Sequence, residues 1–138
     1  MNNDIIYQPK TGIESKDGLI YLIFASSAVR EFNQQELAEL QQQAALKNQK
    51  LGITGQLIYD EGNFLSVLEG QTDTVQQLYQ VISQDQRHRG LILIHEDTIS
   101  KRAFSNWSMD YQKPNHQAGR RLPISSAIGE LIDRYGQN

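Results

Sequence analysis

Two segments with strand-forming composition lie next to each other in the middle of the chain, separated only by a short turn. Residues 53–60 (ITGQLIYD) and 63–69 (NFLSVLE) are rich in branched and aromatic side chains. Between them stands Asp60-Glu61-Gly62-Asn63, whose residue types suit a tight turn. The pattern therefore predicts an antiparallel hairpin, and the rest of the fold has to be arranged around it.

Three further segments predict strands. Residues 19–25 (LIYLIFA) form a short, nearly continuous apolar run, which is typical of a strand that is buried on both faces and central in its sheet. Residues 91–95 (LILIH) predict a second buried strand. Residues 104–112 (FSNWSMDYQ) alternate in polarity and predict a final strand.

Two segments between these strands predict helices. Residues 33–47 begin with Asn33 as a candidate N-cap, and Glu36 three residues later completes a capping box. Apolar side chains recur there at the helical period, namely Leu37, Leu40 and Ala44. Residues 73–83 carry a similar apolar stripe, made of Val75, Leu78, Tyr79 and Ile82.

The order of these elements predicts the fold class. A βαββαββ succession followed by a helix is typical of an α+β, ferredoxin-like sheet with two helices on one face. We expect three regions: a polar N-terminal arm over residues 1–18, a domain over residues 19–113, and a linker with an amphipathic helix over residues 114–138.

The C-terminal helix raises the question of a partner. It is predicted to start at Pro123 and to stop at Gly136. Its apolar stripe consists of Ile124, Ile128, Leu131, Ile132 and Tyr135. This stripe has to be buried either on the open sheet face or on another protein. We therefore expect dependence on protein contacts, with an unidentified downstream protein or with further copies of the chain.

Composition excludes several function classes. The chain has no cysteine, which excludes disulfides, thiol nucleophiles and thiolate metal sites. A net charge of −3 gives no reason to expect nucleic acid. No apolar run reaches membrane-spanning length and the N-terminus does not resemble a signal peptide, so we expect a cytoplasmic protein. No metal site is expected from His88, His95 and His116, and no enzyme motif is present.

Four segments, taken together, resemble the BLUF family of flavin-binding blue-light sensors. They are LIYLIFASSAVREF, KNQKLGITGQLIYDEGNFLSVLEG, LYQVISQDQRHRG and FSNWSM, and they occur in the family's order and spacing over residues 19–112. The resemblance implies that the isoalloxazine ring of a flavin lies between the two helices that cover the sheet. FAD is the implied cofactor, and FMN or riboflavin would also fit the family's pattern.

The resemblance also implies particular flavin contacts. Asn48 matches the family's asparagine at the carbonyl and N–H edge of the ring, a place suited to an amide because it both donates and accepts. Lys47 matches a variable polar position, and Ile82 matches an apolar wall. The remaining matches are Asp85, Arg87 and His88 at the pyrimidine and ribityl side, and Trp107 and Met109 as relays of the light signal.

Two positions depart from the family's pattern. The family uses a tyrosine on its first strand and a glutamine on its third, but this chain has Phe24 and Ser66 there. Phe24 has no phenolic proton, and Ser66 has no amide to rearrange. Tyr21 is expected on the opposite face of its strand, and nothing in the sequence places Tyr59 near the ring. We therefore expect the usual blue-light cycle to be impaired or lost.

Alternative interpretations remain open at this stage. The chain is interpreted first as a flavin-binding regulatory domain that acts through protein contacts and is not an enzyme. It could also be a flavin-free interaction module, or a working photoreceptor with Trp107 as electron donor. Each site residue has a structural explanation as well: Arg87 and His88 suit the negative end of a helix, and a lone tryptophan is often part of a core.

Overall fold

The computed structural model describes residues 18–105, 109–112, 116–117, 120–121 and 124–136. Three helices are present in this part of the chain: α1 (Gln34–Leu51), α2 (Thr72–Ser83) and α3 (Ile124–Gly136). The strands are β1 (Leu19–Ala28), β2 (Thr54–Asp60), β3 (Asn63–Gln71), β4 (His88–Ile99), β5 (Asp110–Gln112), β6 (His116–Gln117) and β7 (Arg120–Arg121).

The main sheet has five strands in the order β4-β1-β3-β2-β5. Its first four strands are antiparallel, and β5 adds to β2 in parallel. The predicted ferredoxin-like α+β fold is confirmed, and β1 lies in the interior of the sheet as its apolar run predicted. The short antiparallel pair β6–β7 was not predicted.

The two faces of the sheet carry separate cores because side chains alternate along each strand. On β1, Ile20, Leu22 and Phe24 belong to the core beneath α1 and α2. The intervening Tyr21 and Ile23 belong to the core beneath α3. The first core holds the candidate site, and the second holds the C-terminal helix.

The predicted hairpin joins β2 to β3. Glu61 and Gly62 are its two central residues, and both have positive φ, at 48° and 86°. Two consecutive positive φ values are the signature of a type I′ turn, whose twist matches that of the flanking strands. This turn fixes the register of the β2–β3 pair.

Helix α1 begins as predicted and ends later than predicted. The Asn33 side chain accepts from the Glu36 backbone N–H at 2.8 Å, and the Glu36 carboxylate accepts from the Asn33 N–H at 3.0 Å. The helix was predicted to end at residue 47 but continues to Leu51, because the left-handed C-cap is taken by Gly52 with φ 71°. Asn48 is therefore part of the helix.

Two strand predictions need correction. Residues 91–95 were predicted as a buried strand, but β4 is an edge strand and Ile92 is 62% exposed. An apolar run does not reveal which strand will lack a neighbour. The final strand was predicted over residues 104–112, but among the described residues of this stretch β5 covers Asp110–Gln112 alone. The backbone N–H groups of Ala103 and Phe104 donate to the Glu69 carboxylate instead of to a sheet ladder.

Helix α3 packs its apolar stripe on the open face of the sheet and not on another protein. Leu131 and Tyr135 are buried against the face opposite α1 and α2. The Tyr135 ring stacks on Tyr21 with centroids 3.7 Å apart, and its hydroxyl donates to Glu69 at 2.6 Å. The stripe is thus covered within the chain. Residues 1–17 of the predicted polar arm lie outside the described residues.

Candidate functional site

A cavity of about 280 Å³ lies between the sheet and the helices α1 and α2. It brings together nine of the residues that the sequence singled out: Phe24, Lys47, Asn48, Ser66, Ile82, Asp85, Arg87, His88 and Met109. Trp107 falls outside the described residues. The site residues therefore converge on one cavity, although they come from seven separate elements or turns.

The walls of the cavity are mainly apolar. The sheet contributes its floor through Leu57, Phe64 and Leu68, which alternate with residues of the opposite core. The helices contribute Leu40 and Ala44 from α1 and Leu78 and Ile82 from α2. Such walls suit a planar aromatic ring, whose burial is favourable in proportion to its apolar area.

Phe24 and Ser66 are direct cross-strand partners in the β1–β3 pair. Both side chains are buried and line the cavity. Cβ atoms of such partners stand about 4.5–5.5 Å apart. The Phe24 ring also meets the Tyr79 ring edge-on, with centroids 5.2 Å apart. The cavity floor thus carries an apolar ring opposite a short hydroxyl.

The two other tyrosines considered from the sequence lie elsewhere. Tyr21 is on the α3 face, as its position on the strand predicted. Tyr59 packs between Phe32 and Phe64, and its hydroxyl accepts a hydrogen bond from the Phe32 N–H at 3.1 Å. Neither ring is among the described residues that line the cavity.

Asn48 lies in the last turns of α1 and is only 2% exposed. Its backbone carbonyl accepts from the Ile53 N–H at 2.9 Å, which ties the end of the helix to the start of β2. Its side chain lines the cavity. Since an amide offers both donors and an acceptor, this position can recognise a heterocycle edge that alternates C=O and N–H groups.

Asp85 and Arg87 form an ion pair in the turn between α2 and β4. The Arg87 Nε lies 2.9 Å from Asp85 Oδ1, and the Arg87 backbone N–H also donates to that oxygen at 2.9 Å. These hydrogen bonds from Arg87 lower the pKa of the Asp85 carboxyl from its ordinary 3.8 to about 2. The pair gives the mouth of the cavity a fixed, charged edge.

His88 uses both ring nitrogens within the chain. Nε2 lies 2.7 Å from the Ile82 carbonyl oxygen, and Nδ1 lies 2.7 Å from the Ser26 hydroxyl. The sequence resemblance implied a flavin contact for His88. The residue lines the cavity, and its ring nitrogens also link β1 to the end of α2. Sequence reasoning missed Ser26, which also lines the cavity. Its position two residues beyond Phe24, on the same strand face, is the signal that could have identified it.

Met109 closes the cavity from the side of the β2 edge and is buried. Its backbone carbonyl accepts from the Gln41 side-chain amide of α1 at 2.6 Å. Sequence reasoning also missed Gln43, another α1 residue that lines the cavity. Gln41 and Gln43 both belong to the glutamine-rich part of α1.

The residues present fit a flavin ring. A volume of about 280 Å³ is near the lower end for ligand pockets, which begin at about 300 Å³, so it suits one ring system with its chain leaving by the mouth. Apolar walls, a buried amide and a charged rim are the groups that such a ligand needs. The described residues contain no cluster of metal-ligating side chains, and no helix among them is long and apolar enough to span a membrane.

A family model described as "BLUF: Sensors of blue-light using FAD" matches residues 19–110. Among curated proteins, the chain is 32% identical over 102 residues to photoactivated adenylate cyclase subunit beta of Euglena longa, covering 73% of this chain and 12% of that protein. It is 34% identical over 117 residues to subunit alpha of Euglena gracilis, covering 85% and 10%. The chain thus spans about a tenth of the length of these relatives.

The chain is also similar to solved structures of light-regulated proteins. The dark state of BlrB, a BLUF protein, superposes with a TM-score of 0.68 at 27% identity, covering 72% of this chain and 76% of that one. The ground state of BlsA superposes with a TM-score of 0.66 at 31% identity, covering 70% and 66%. A bacterial light-regulated adenylyl cyclase superposes with a TM-score of 0.68 at 27% identity, covering 86% and 34%.

Proposed function

Because the chain belongs to the BLUF family, the sensors of blue light using FAD, we propose that it holds a flavin between α1 and α2 without performing the family's reversible red shift. The observation that carries this proposal is the pairing of Phe24 with Ser66 on the cavity floor. According to the resemblance to the BLUF family, Phe24 and Ser66 stand where the family has its photoactive tyrosine and glutamine. The fold and the cavity are kept, and the reactive pair is replaced.

A bound flavin supplies absorption of blue light and the capacity to accept an electron. Around it, Asn48 would hold the polar edge of the ring through its amide, which both donates and accepts. Ile82 and Met109 would exclude water from the two sides of the ring. Each of these side chains already lines the cavity, so no rearrangement of the described chain is needed to bring them together.

Phe24 and Ser66 cannot perform the electron and proton donation and the amide rearrangement of the family's light reaction. Phe24 has neither a hydroxyl proton to release nor the electron-rich phenol of tyrosine. Ser66 has a hydroxyl but no amide whose donor and acceptor ends could exchange. No tyrosine is among the described residues lining the cavity, so no phenol there takes the place of Phe24.

We propose FAD as the natural ligand, with FMN and riboflavin also accepted. Lys47 and Arg87 line the cavity, and Arg87 is half-exposed at its mouth. Among the described residues that line the cavity, Asp85 offsets Arg87, and Lys47 leaves a net positive charge that favours a phosphorylated chain. Because these contacts are exposed and screened by salt, they add little affinity beyond that of the ring. The three flavins are therefore expected to bind with similar affinity at physiological salt.

We propose that the output is a protein contact and not a reaction catalysed by this domain. In the named relatives the matching segment belongs to photoactivated adenylate cyclases, which are much longer proteins. For this chain we propose contact with a further copy of itself or with a separate regulated protein. The exposed edge strand β4, with Ile92 at 62% exposure, offers an apolar side chain for such a contact.

Flavin retention tests the first half of the proposal. The purified chain is mixed with FMN, passed through a desalting column and examined for structured flavin absorption. Ala44→Trp fills the cavity from α1 and should abolish retention, whereas Gln42→Trp on the exposed side of the same helix should not. Loss of FMN from the unmodified chain would favour a flavin-free interaction module.

A further inference from the structure

His88 links two elements through a chain of hydrogen bonds whose direction can be derived. The Ile82 carbonyl can only accept, so His88 Nε2, at 2.7 Å, must carry the donated proton. In the neutral ring the other nitrogen is then an acceptor. With the ring in this neutral form, the Ser26 hydroxyl, 2.7 Å from Nδ1, donates its only proton to His88.

The direction of the Ser26–His88 hydrogen bond determines whether Ser26 can donate to a ligand in the cavity or only accept from it. Its single proton is committed to His88, and its oxygen keeps lone pairs that only accept. Ser26 is 6% exposed and lines the cavity on the same side as His88 and Arg87. The strand is also irregular here, since the β1–β4 register shifts between Ala25 and Ser27 and Gly90 on β4 has φ 65°. Such irregularities often occur where a side chain is aimed at a site.

We propose that Ser26 is a hydrogen-bond acceptor subsite that selects ligands carrying a hydroxyl donor, and that His88 is the residue that positions it. This inference rests on the proposed flavin site and names the part of the ligand involved. The ring's polar edge is assigned to Asn48 at the end of α1, so the hydroxyl groups of the ribityl chain are left for Ser26, which lies beside His88 near the end of α2. The predicted specificity is for flavins with a polyhydroxy chain over flavins without one.

Two neutral flavins test the subsite without involving phosphate. Riboflavin carries the ribityl chain, and lumiflavin carries a methyl group on the same ring. Dissociation constants of both are measured by calorimetry on the full chain. Ser26→Ala should weaken riboflavin about three- to tenfold, the equivalent of one hydrogen bond, and leave lumiflavin unchanged.

Matched variants separate the subsite from general effects on folding. Ser27→Ala removes a neighbouring hydroxyl that bonds to Asn63 and does not line the cavity, so both affinities should stay unchanged. Ser26→Thr keeps the hydroxyl and should keep the preference for riboflavin. His88→Phe removes both ring nitrogens and should reduce that preference, because the Ser26 hydroxyl is then no longer held in one orientation. Urea unfolding of each unliganded variant confirms that it is folded.

The outcomes distinguish this inference from the proposed function. If neither flavin binds the unmodified chain, the proposed function is wrong and the subsite falls with it. If both bind and Ser26→Ala changes neither constant, or weakens both equally, the subsite is wrong and the flavin site stands. A selective loss for riboflavin, kept by Ser26→Thr, supports the inference.

Discussion

Phe24 on β1 and Ser66 on β3 stand directly opposite each other, and both side chains face the cavity between α1 and α2. Two positions that are 42 residues apart along the sequence thus form one cross-strand pair. The pair occupies the part of the floor where the resemblance places the family's reactive tyrosine and glutamine. Both departures from the family's pattern therefore affect the same point of the site.

Restoring both side chains should restore the light response. In the double variant Phe24→Tyr, Ser66→Gln, the phenol and the amide would stand across one strand pair, within mutual hydrogen-bonding reach. We expect the flavin-loaded double variant to show a red shift in blue light that reverses in the dark. Each single variant should lack it, because each supplies only half of the pair. Failure of the double variant, with flavin bound and the chain folded, would show that residues beyond this pair have also diverged.

Loss of one hydroxyl should loosen the C-terminal helix. The Glu69 carboxylate is fully buried and accepts hydrogen bonds from Tyr135, Thr54, Ala103 and Phe104. Tyr135→Phe leaves the carboxylate with one donor fewer, and hydrogen bonds to charged groups contribute about 1.5–3 kcal/mol. We expect a loss of that size in the free energy of unfolding, measured in urea.

The exposed Ser125 on the same helix provides the control for this prediction. Ser125→Ala removes a hydroxyl from the solvent side of α3 and should change stability by less than about 0.5 kcal/mol. A Tyr135→Phe variant as stable as Ser125→Ala would mean that the Glu69 contact does not hold α3 on the sheet.

Acid should weaken the turn at the mouth of the cavity. Arg87 lowers the pKa of Asp85 from 3.8 to about 2 in the folded chain. A lowered folded-state pKa adds stability above the unfolded value, and that stability is lost as pH falls from about 4 towards 2. Because the pair is partly exposed, the effect should stay below about 1 kcal/mol.

Comparison of the unmodified chain with Asp85→Asn tests this pH dependence. The variant cannot titrate at this position, so its stability should fall less steeply between pH 4 and pH 2. Parallel curves for the two proteins would show that the ion pair does not contribute to acid sensitivity. The measurement is urea unfolding at a series of pH values.

Much of the fold could be predicted because local chemistry decides it. Asn33 with Glu36 defined the start of α1, and Glu61 with Gly62 defined the hairpin turn. The edge position of β4 could not be predicted, since an apolar run is compatible with either a central or an edge strand. The short β5 could not be predicted either, because Glu69, more than thirty residues away, accepts the backbone protons of Ala103 and Phe104.

The candidate site, too, has a part that the sequence predicted and a part that depends on packing between elements. The resemblance assigned nine residues that the fold brings to one cavity, since its motifs keep their order and spacing. It did not identify Ser26, because a lone serine on a strand carries no motif. It also gave no sign that the His88 ring nitrogens contact Ser26 and the Ile82 carbonyl. Hydrogen-bond partners across elements become visible only when the elements are packed.

The absorption spectrum of the FAD-loaded chain, recorded in the dark and again under blue light, tests the central claim most directly. The account predicts structured flavin bands that stay at the same wavelengths under illumination, because Phe24 and Ser66 supply neither the phenol nor the amide. A red shift that reverses in the dark would contradict this claim, since another residue would then replace the missing tyrosine and glutamine in the light reaction.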